Sequence, residues 1–156
     1  MINTLDGLLT FENIYLIANW GVVPFWLLLI LMPNHNITKF FSHSVIVPLL
    51  LAAAYIFVAQ QIILEDNIFE GFKLYLGLDG LGEIYSNESI RLIFWLHFLA
   101  LSLFSGAWIA RDGERHMIPR TLSAPCILIT YFTGPFGIVI YWFVRIFYAK
   151  KINFNE

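Results

Sequence analysis

The sequence predicts an all-α membrane protein, with four transmembrane helices in one bundle and a single membrane domain over residues 1–156. Of the 156 residues, 59% are apolar and only 13% are charged, and the mean hydropathy is +0.73. Soluble domains seldom combine so much apolar surface with so few charges. The lipid bilayer is therefore the expected partner. The net charge of −2 supplies no basic face for nucleic acid, so DNA and RNA are not expected partners.

Four apolar stretches reach the length of about 20 residues that a helix needs to cross a bilayer. They cover residues 14–32, 44–64, 89–110 and 123–147. None has an Asp, Glu or Lys in its interior, as the hydrocarbon core requires. Four crossings would place both chain ends on one side of the membrane, with Arg145 on the same side as Arg91 and Glu88.

The longest connection, residues 65–88, holds six of the eleven acidic residues and mixes them with large apolar side chains. This mixture is typical of a segment that lies in the membrane interface. No basic leader, cleavage pattern or transit segment precedes the first apolar stretch. The sequence therefore predicts a retained first span and a multi-pass protein of a bacterial inner membrane.

The fourth stretch contains Pro135 next to Gly134, near its middle. A proline inside a helix removes one backbone donor and clashes with the preceding turn, so a kink is expected at Gly134–Pro135. Small and polar side chains share one face of this helix, and they are Cys126, Thr130, Gly134, Gly137, Tyr141 and Arg145. This face favours close helix packing, and the alternative is the wall of a ligand slot.

The third stretch contains His97, the one histidine inside a predicted span, with Phe104 and Trp108 close to it on the helical wheel. A polar group at membrane depth is a candidate for function. A neutral imidazole that is satisfied by a neighbouring carbonyl or hydroxyl group explains it equally well. Ser102 lies on another face, together with Gly106, in a pattern of small residues that indicates helix packing.

No metal and no cofactor is expected. His35, His43 and His116 fall on one predicted side with two carboxylates, but their spacing matches no compact ligand motif. A bis-histidine haem would need a second histidine within the spans. Cys126 is the single cysteine, which excludes an intrachain disulfide.

Several motifs carry a resemblance to a known family. They are the block from Trp95 to Ile109, Arg111-Asp112, Ile118-Pro119, Pro125-Cys126, Thr130 and Gly134-Pro135-Phe136-Gly137, preceded by Pro24, Trp26, Pro33, Ser44, Pro48 and Tyr55. Together they resemble the abscisic-acid-deficient-four-like family over nearly the whole chain. Plant members of that family are required to form neoxanthin from violaxanthin. This sequence has Ser102 where the family pattern usually has an aspartate, which removes one candidate acid or base.

The resemblance implies a carotenoid isomerase that converts a xanthophyll epoxide to an allenic alcohol. Such a reaction needs an acid and a base beside a long apolar slot. His97 is the candidate acid or base, and Asp112, Tyr141 and Arg145 are candidate proton or hydrogen-bond donors. Other ligand contacts are expected from Ser102, Phe104, Trp108, Thr130, Gly134 and Gly137, along with Tyr141 and His97.

The alternative is a non-enzymatic protein that binds a carotenoid or another isoprenoid lipid, or that is the scaffold of a larger membrane complex. An aromatic content of 17% and the serine at position 102 fit this alternative. A transporter or channel is disfavoured, because the spans lack the several ionisable groups of an ion path.

Overall fold

The computed structural model describes residues 10–41, 46–64, 75 and 77–149. Eight α-helices lie in these residues: α1 Phe11–Gly21, α2 Val23–Leu31, α3 Asn36–Phe41, α4 Ile46–Leu64, α5 Leu78–Tyr85, α6 Glu88–Arg115, α7 Arg120–Thr133 and α8 Pro135–Ala149. The all-α prediction is confirmed for this part of the chain. Most of the predicted interfacial segment 65–88 lies outside the described residues, and its end forms α5.

The chain divides into two compact units. The first unit comprises Met1–Gly21 and Leu49–Leu99, and the second comprises Val22–Pro48 and Ala100–Glu156. The prediction of a single membrane domain stays a prediction.

Two helical stretches among the described residues are long and apolar enough to cross a membrane. They are Phe11–Leu31, which joins α1 to α2, and Glu88–Arg115, which is α6. These stretches coincide with the predicted first and third spans. The second prediction coincides with α4, whose apolar part Ile46–Ile62 is shorter.

The fourth predicted span is wrong as a single kinked crossing. Helix α7 ends at Thr133, Gly134 takes a left-handed φ of 59°, and Pro135 begins α8. A side-chain carbon at Gly137 would lie 2.5 Å from the backbone nitrogen of Thr130. In a helix that continued straight, these two residues would be about 10 Å apart along the axis. The chain therefore reverses at the predicted kink, and α8 returns along α7 as a helical hairpin.

The faces of the hairpin explain its packing. Cys126 and Thr130 of α7 are buried, and so are Gly137, Tyr141 and Arg145 of α8. The small and polar stripe that the sequence predicts on one helix thus lies on two helices that pack together. The opposite face of α8 is exposed and apolar, with Phe136, Val139, Phe143 and Phe147.

Close packing also holds α2 against α6 in the second unit. Trp26 is 3% exposed, and a side-chain carbon at Gly106 would lie 2.6 Å from its ring. Tyr131 of α7 meets the same indole edge to face, with 5.2 Å between the ring centroids. Gly106 therefore acts as the small residue that the sequence pattern predicts at a helix contact.

Candidate functional site

A buried ion pair joins the end of α6 to α8. The Arg145 Nε donates to Asp112 Oδ2 at 2.7 Å, and the two side chains are only 3% and 9% exposed. The hairpin makes this contact, because α8 returns towards the end of α6 from which α7 departs. A charged group away from water needs a partner of opposite charge and hydrogen bonds to remain ionised. Asp112 and Arg145 supply both for each other.

Tyr141 donates a second hydrogen bond to the same carboxylate oxygen. Its hydroxyl is 2.7 Å from Asp112 Oδ2, and the side chain is fully buried. Tyr141 and Arg145 are four residues apart on α8, so they lie one above the other on the face that meets α6. The Trp108 ring packs edge to face on the Tyr141 ring at 5.5 Å and restricts its orientation.

His116 faces the other oxygen of the carboxylate. Its Nε2 lies 3.5 Å from Asp112 Oδ1 and 3.3 Å from an Arg145 guanidinium nitrogen, and the side chain is 23% exposed. The sequence prediction did not include His116 in the catalytic group. The signal that was available is its spacing, four residues after Asp112 at the end of a helix.

A cavity of about 210 Å³ lies beside this group. Its wall is apolar at Leu29, Ile118 and Ile127 and polar at Asn34, Arg120 and Ser123, and Gly113 also lines it. A side-chain carbon at Gly113 would lie 3.7 Å from the Tyr141 hydroxyl oxygen. Gly113, which has no side chain, therefore lies both in the cavity wall and next to the Tyr141 hydroxyl.

The structure brings Asp112, Tyr141 and Arg145 together, as well as Trp108. The side of a membrane on which Arg145 lies stays a prediction, but Arg145 contacts Asp112 and His116, which lie at the C-terminal end of α6. The reversal at Gly134 is the reason. Arg145 is 3% exposed and paired with Asp112, so it is not a lone exposed arginine at the end of a helix.

His97 is not part of this group. It lies in the first unit with an exposed side chain, and its ring centroid is 6.3 Å from that of Tyr55. It precedes Asp112 by 15 residues of α6, about 22 Å along the axis at 1.5 Å per residue. Its role as acid or base stays a prediction.

Of the remaining residues predicted to contact a ligand, some are buried in helix contacts and others are exposed. Thr130 is fully buried and donates to the carbonyl of Cys126 at 2.8 Å, while Gly134 and Gly137 form the turn and contact of the hairpin. Ser102 is buried at 4% exposure, and Phe104 is 45% exposed. Within the described residues, no group of three or more His, Cys, Asp or Glu side chains is placed to hold a metal. His43 lies outside those residues.

These observations define an all-α protein with two stretches of membrane-crossing length and a buried carboxylate, guanidinium and phenol group. The family model described as ABA DEFICIENT 4-like matches residues 13–141. The chain belongs to the ABA DEFICIENT 4-like family, which confirms the resemblance found in the sequence.

A curated relative shares much of the sequence. The chain is 23% identical over 138 residues to Protein ABA DEFICIENT 4, chloroplastic, from Arabidopsis thaliana, which covers 86% of this chain. The match covers 61% of that relative's length. No solved structure matches the chain. Because the relative is chloroplastic, the comparisons do not support the predicted bacterial inner membrane.

Proposed function

We propose that this chain is an integral membrane protein whose Asp112, Tyr141 and Arg145 side chains catalyse the isomerisation of a xanthophyll epoxide. The observation that carries the proposal is the 2.7 Å hydrogen bond from the buried Tyr141 hydroxyl to the ionised partner of Arg145. In this proposal the Tyr141 phenol is the acid and the Asp112 carboxylate is the base. The substrate class is the one that the family resemblance implies, because plant members are required to form neoxanthin from violaxanthin.

The proposed topology has three crossings and one re-entrant hairpin. Helices α7 and α8 have 14 and 15 residues, about 21 and 22 Å at 1.5 Å per residue, which is short of the roughly 30 Å hydrocarbon core. A chain that turns back within the membrane is tolerated where its backbone is buried in protein. The burial of Gly134 at the turn supports this topology.

The reaction is balanced by one proton removed and one proton delivered. Asp112 removes the vinylic proton, the electron pair of that C–H bond forms the second double bond of the allene, and the epoxide C–O bond breaks. Tyr141 donates its hydroxyl proton to the released oxygen, which becomes the alcohol. The proton on Asp112 then passes to the Tyr141 oxygen along their hydrogen bond, so both groups return to their starting state.

Arg145 stabilises the anionic charge that the pair carries throughout this cycle. Its guanidinium donates to Asp112 Oδ2, the same oxygen that accepts the hydrogen bond from the Tyr141 hydroxyl. Fixed charges in a site that excludes water act strongly, because no solvent has to reorganise during the reaction. Arg145 is therefore assigned the electrostatic role rather than that of a proton donor.

The cavity at Gly113 would hold one end of the substrate. Its volume of about 210 Å³ is below the roughly 300–1,000 Å³ of pockets that enclose whole drug-sized ligands. A long isoprenoid would therefore place its epoxide ring there and leave its polyene outside. The polar residues Asn34, Arg120 and Ser123 in the wall suit the oxygen atoms on such a ring.

A non-enzymatic carotenoid or isoprenoid carrier is the second candidate, supported by two different observations. The α8 face formed by Phe136, Val139, Phe143 and Phe147 is exposed along its length and offers an apolar surface to a polyene. Ser102 replaces the usual aspartate of the family pattern and is buried. In this case the ion pair stabilises the hairpin and has no chemical role.

Expression of the chain in a violaxanthin-producing host separates the two functions. The pigments extracted from cells and from the purified protein would be analysed by chromatography for wild type, Asp112→Asn and His97→Ala. We expect an allenic product with wild type and with His97→Ala, and its loss with Asp112→Asn. The matched control is Asp79→Asn, an exposed carboxylate in α5.

Three results would contradict this assignment. Loss of product with His97→Ala at normal protein level would return the acid or base role to His97. Unchanged product with Asp112→Asn would remove the ion pair from the reaction. Bound violaxanthin without conversion by wild type would favour the carrier.

A further inference from the structure

A second groove lies in the first unit, where α1 and α6 both begin. It has a volume of about 390 Å³, and its wall consists of Phe11, Glu12 and Tyr15 from α1 with Glu88, Arg91, Leu92 and Trp95 from α6. Residues 88, 91, 92 and 95 follow the spacing of one helix face. The groove therefore runs along both helices rather than across a single turn.

The groove carries charges of both signs at one end and apolar surface at the other. Glu12, Glu88 and Arg91 belong to the first turns of their helices and are exposed. Further along, the ring centroids of Tyr15 and Trp95 lie 6.1 Å apart at an angle of 43°, and Leu92 in the same wall is buried. Carboxylates beside aromatic faces attract an ammonium group, and an exposed guanidinium attracts a phosphate.

The depth of the groove matches the edge of a bilayer. Glu88 and Trp95 are seven residues apart, about 10 Å of helix rise at 1.5 Å per residue. Each polar layer of a bilayer is about 5–8 Å thick, given the total and hydrocarbon thicknesses. With α1 and α6 as spans, the charged residues lie among the headgroups, while Trp95 and Leu92 reach the start of the acyl chains. Tyrosine and tryptophan are common at this level.

We infer that this groove binds the headgroup of a zwitterionic phospholipid, with the phosphate on Arg91 and the ammonium between the carboxylates of Glu12 and Glu88 and the rings of Tyr15 and Trp95. The inference uses the proposed membrane location but is independent of the proposed catalysis. An anionic headgroup such as glycerol phosphate has no cation to place against the two carboxylates. The groove therefore distinguishes phosphatidylethanolamine from phosphatidylglycerol.

Native mass spectrometry of the full chain tests this. The protein would be delipidated in mild detergent and offered equal amounts of phosphatidylethanolamine and phosphatidylglycerol. We expect selective retention of phosphatidylethanolamine, and about fivefold weaker retention for the double variant Glu88→Gln/Arg91→Gln, as expected for two exposed charge contacts. The control double variant Asp79→Asn/Lys39→Gln removes one acid and one base outside the groove and should retain the lipid as wild type does.

A charge reversal distinguishes a specific change in lipid preference from a loss of binding that is caused by misfolding. Glu88→Lys gives the groove a second cation, so the preference should shift to phosphatidylglycerol, a gain that an unfolded chain cannot produce. Equal retention of both lipids by wild type would overturn the inference. Selectivity that survives in Glu88→Gln/Arg91→Gln would overturn it as well. Neither result would bear on conversion of xanthophyll at Asp112.

Discussion

Asp112 and Arg145 are each other's charge partners in a place where water does not reach them. Their side chains are 9% and 3% exposed and share a 2.7 Å hydrogen bond. A buried pair contributes little net stability compared with a well-packed apolar pair, but removal of one partner leaves the other charge unpaired. A buried pair can therefore be recognised by a large loss in the free energy of unfolding when one partner is replaced.

Replacement Arg145→Met should lower the free energy of unfolding by about 3–5 kcal/mol, because Asp112 would remain as a buried unpaired charge. Denaturation in detergent micelles, followed by helical circular dichroism, measures the change. Lys39→Met is the matched control, since Lys39 pairs with Glu114 at 3.3 Å but both side chains are well exposed. Its cost should stay below about 1 kcal/mol. Equal costs for the two variants would contradict a buried pair.

At this scale the sequence was informative about chemistry and incomplete about geometry. Asp112, Tyr141 and Arg145 could be named as candidates because polar residues are rare in such an apolar chain. His116 was missed, because an exposed helix end gives little reason to select it. The distance of His97 from Asp112 follows from their spacing along one helix. The placement of Tyr141 and Arg145 beside Asp112 could not be predicted, since it depends on where the fourth apolar stretch turns.

At the scale of the elements, the α7–α8 hairpin decides the arrangement of the site. Gly134 and Pro135 predict a break, and the break is present. The sequence could not distinguish a kink from a reversal, because both use the same helix-breaking residues. The length of 25 residues in the fourth stretch fits one long crossing as well as two short helices.

Gly137→Ala should disrupt the hairpin. The added carbon would lie 2.5 Å from the Thr130 nitrogen and 2.7 Å from the Cys126 carbonyl oxygen, and a backbone contact cannot move aside easily. We expect a loss of about 1–3 kcal/mol or more in the free energy of unfolding. The control is Gly21→Ala, whose added carbon meets nothing within 4 Å. A tolerated Gly137→Ala would argue against close contact between α7 and α8.

Cysteine labelling tests the direction of α8. Met117→Cys in the α6–α7 turn and Tyr148→Cys near the end of α8 should react with an impermeant maleimide from the same side of a proteoliposome. Both native side chains are exposed, whereas the native Cys126 is buried. Ser86→Cys, just before α6 begins, should react from the opposite side. Labelling of Tyr148→Cys from the same side as Ser86→Cys would instead indicate that the fourth apolar stretch crosses the membrane once.

For the whole molecule, composition predicted a membrane class and the motifs carried the family resemblance, while the reversal at Gly134 came from the structure. The high apolar content follows from two membrane-length stretches and from the exposed apolar face of α8. Two compact units share α6, which contributes His97 to one unit and Asp112 to the other. Which end of α6 contacts Tyr141 and Arg145 depends on residues far apart in sequence, and one sequence does not show these contacts.

In the proposed reaction Tyr141 is the acid, Asp112 is the base and Arg145 supplies the stabilising charge. Removal of the phenolic hydroxyl alone is the smallest change that separates this assignment from a purely structural ion pair. Tyr141→Phe keeps the ring that packs on Trp108 and keeps the contact between Asp112 and Arg145. Tyr131→Phe is the matched control, because Tyr131 packs on Trp26 rather than on Asp112.

The most direct test is conversion of violaxanthin by the purified chain in detergent, measured by chromatography of the pigments over time. We expect an allenic product with wild type and with Tyr131→Phe, and a rate about 100-fold or more lower with Tyr141→Phe, in the range of general acid catalysis. Product formation by Tyr141→Phe at the wild-type rate would contradict the proposed reaction, and Asp112 and Arg145 would then be a structural pair.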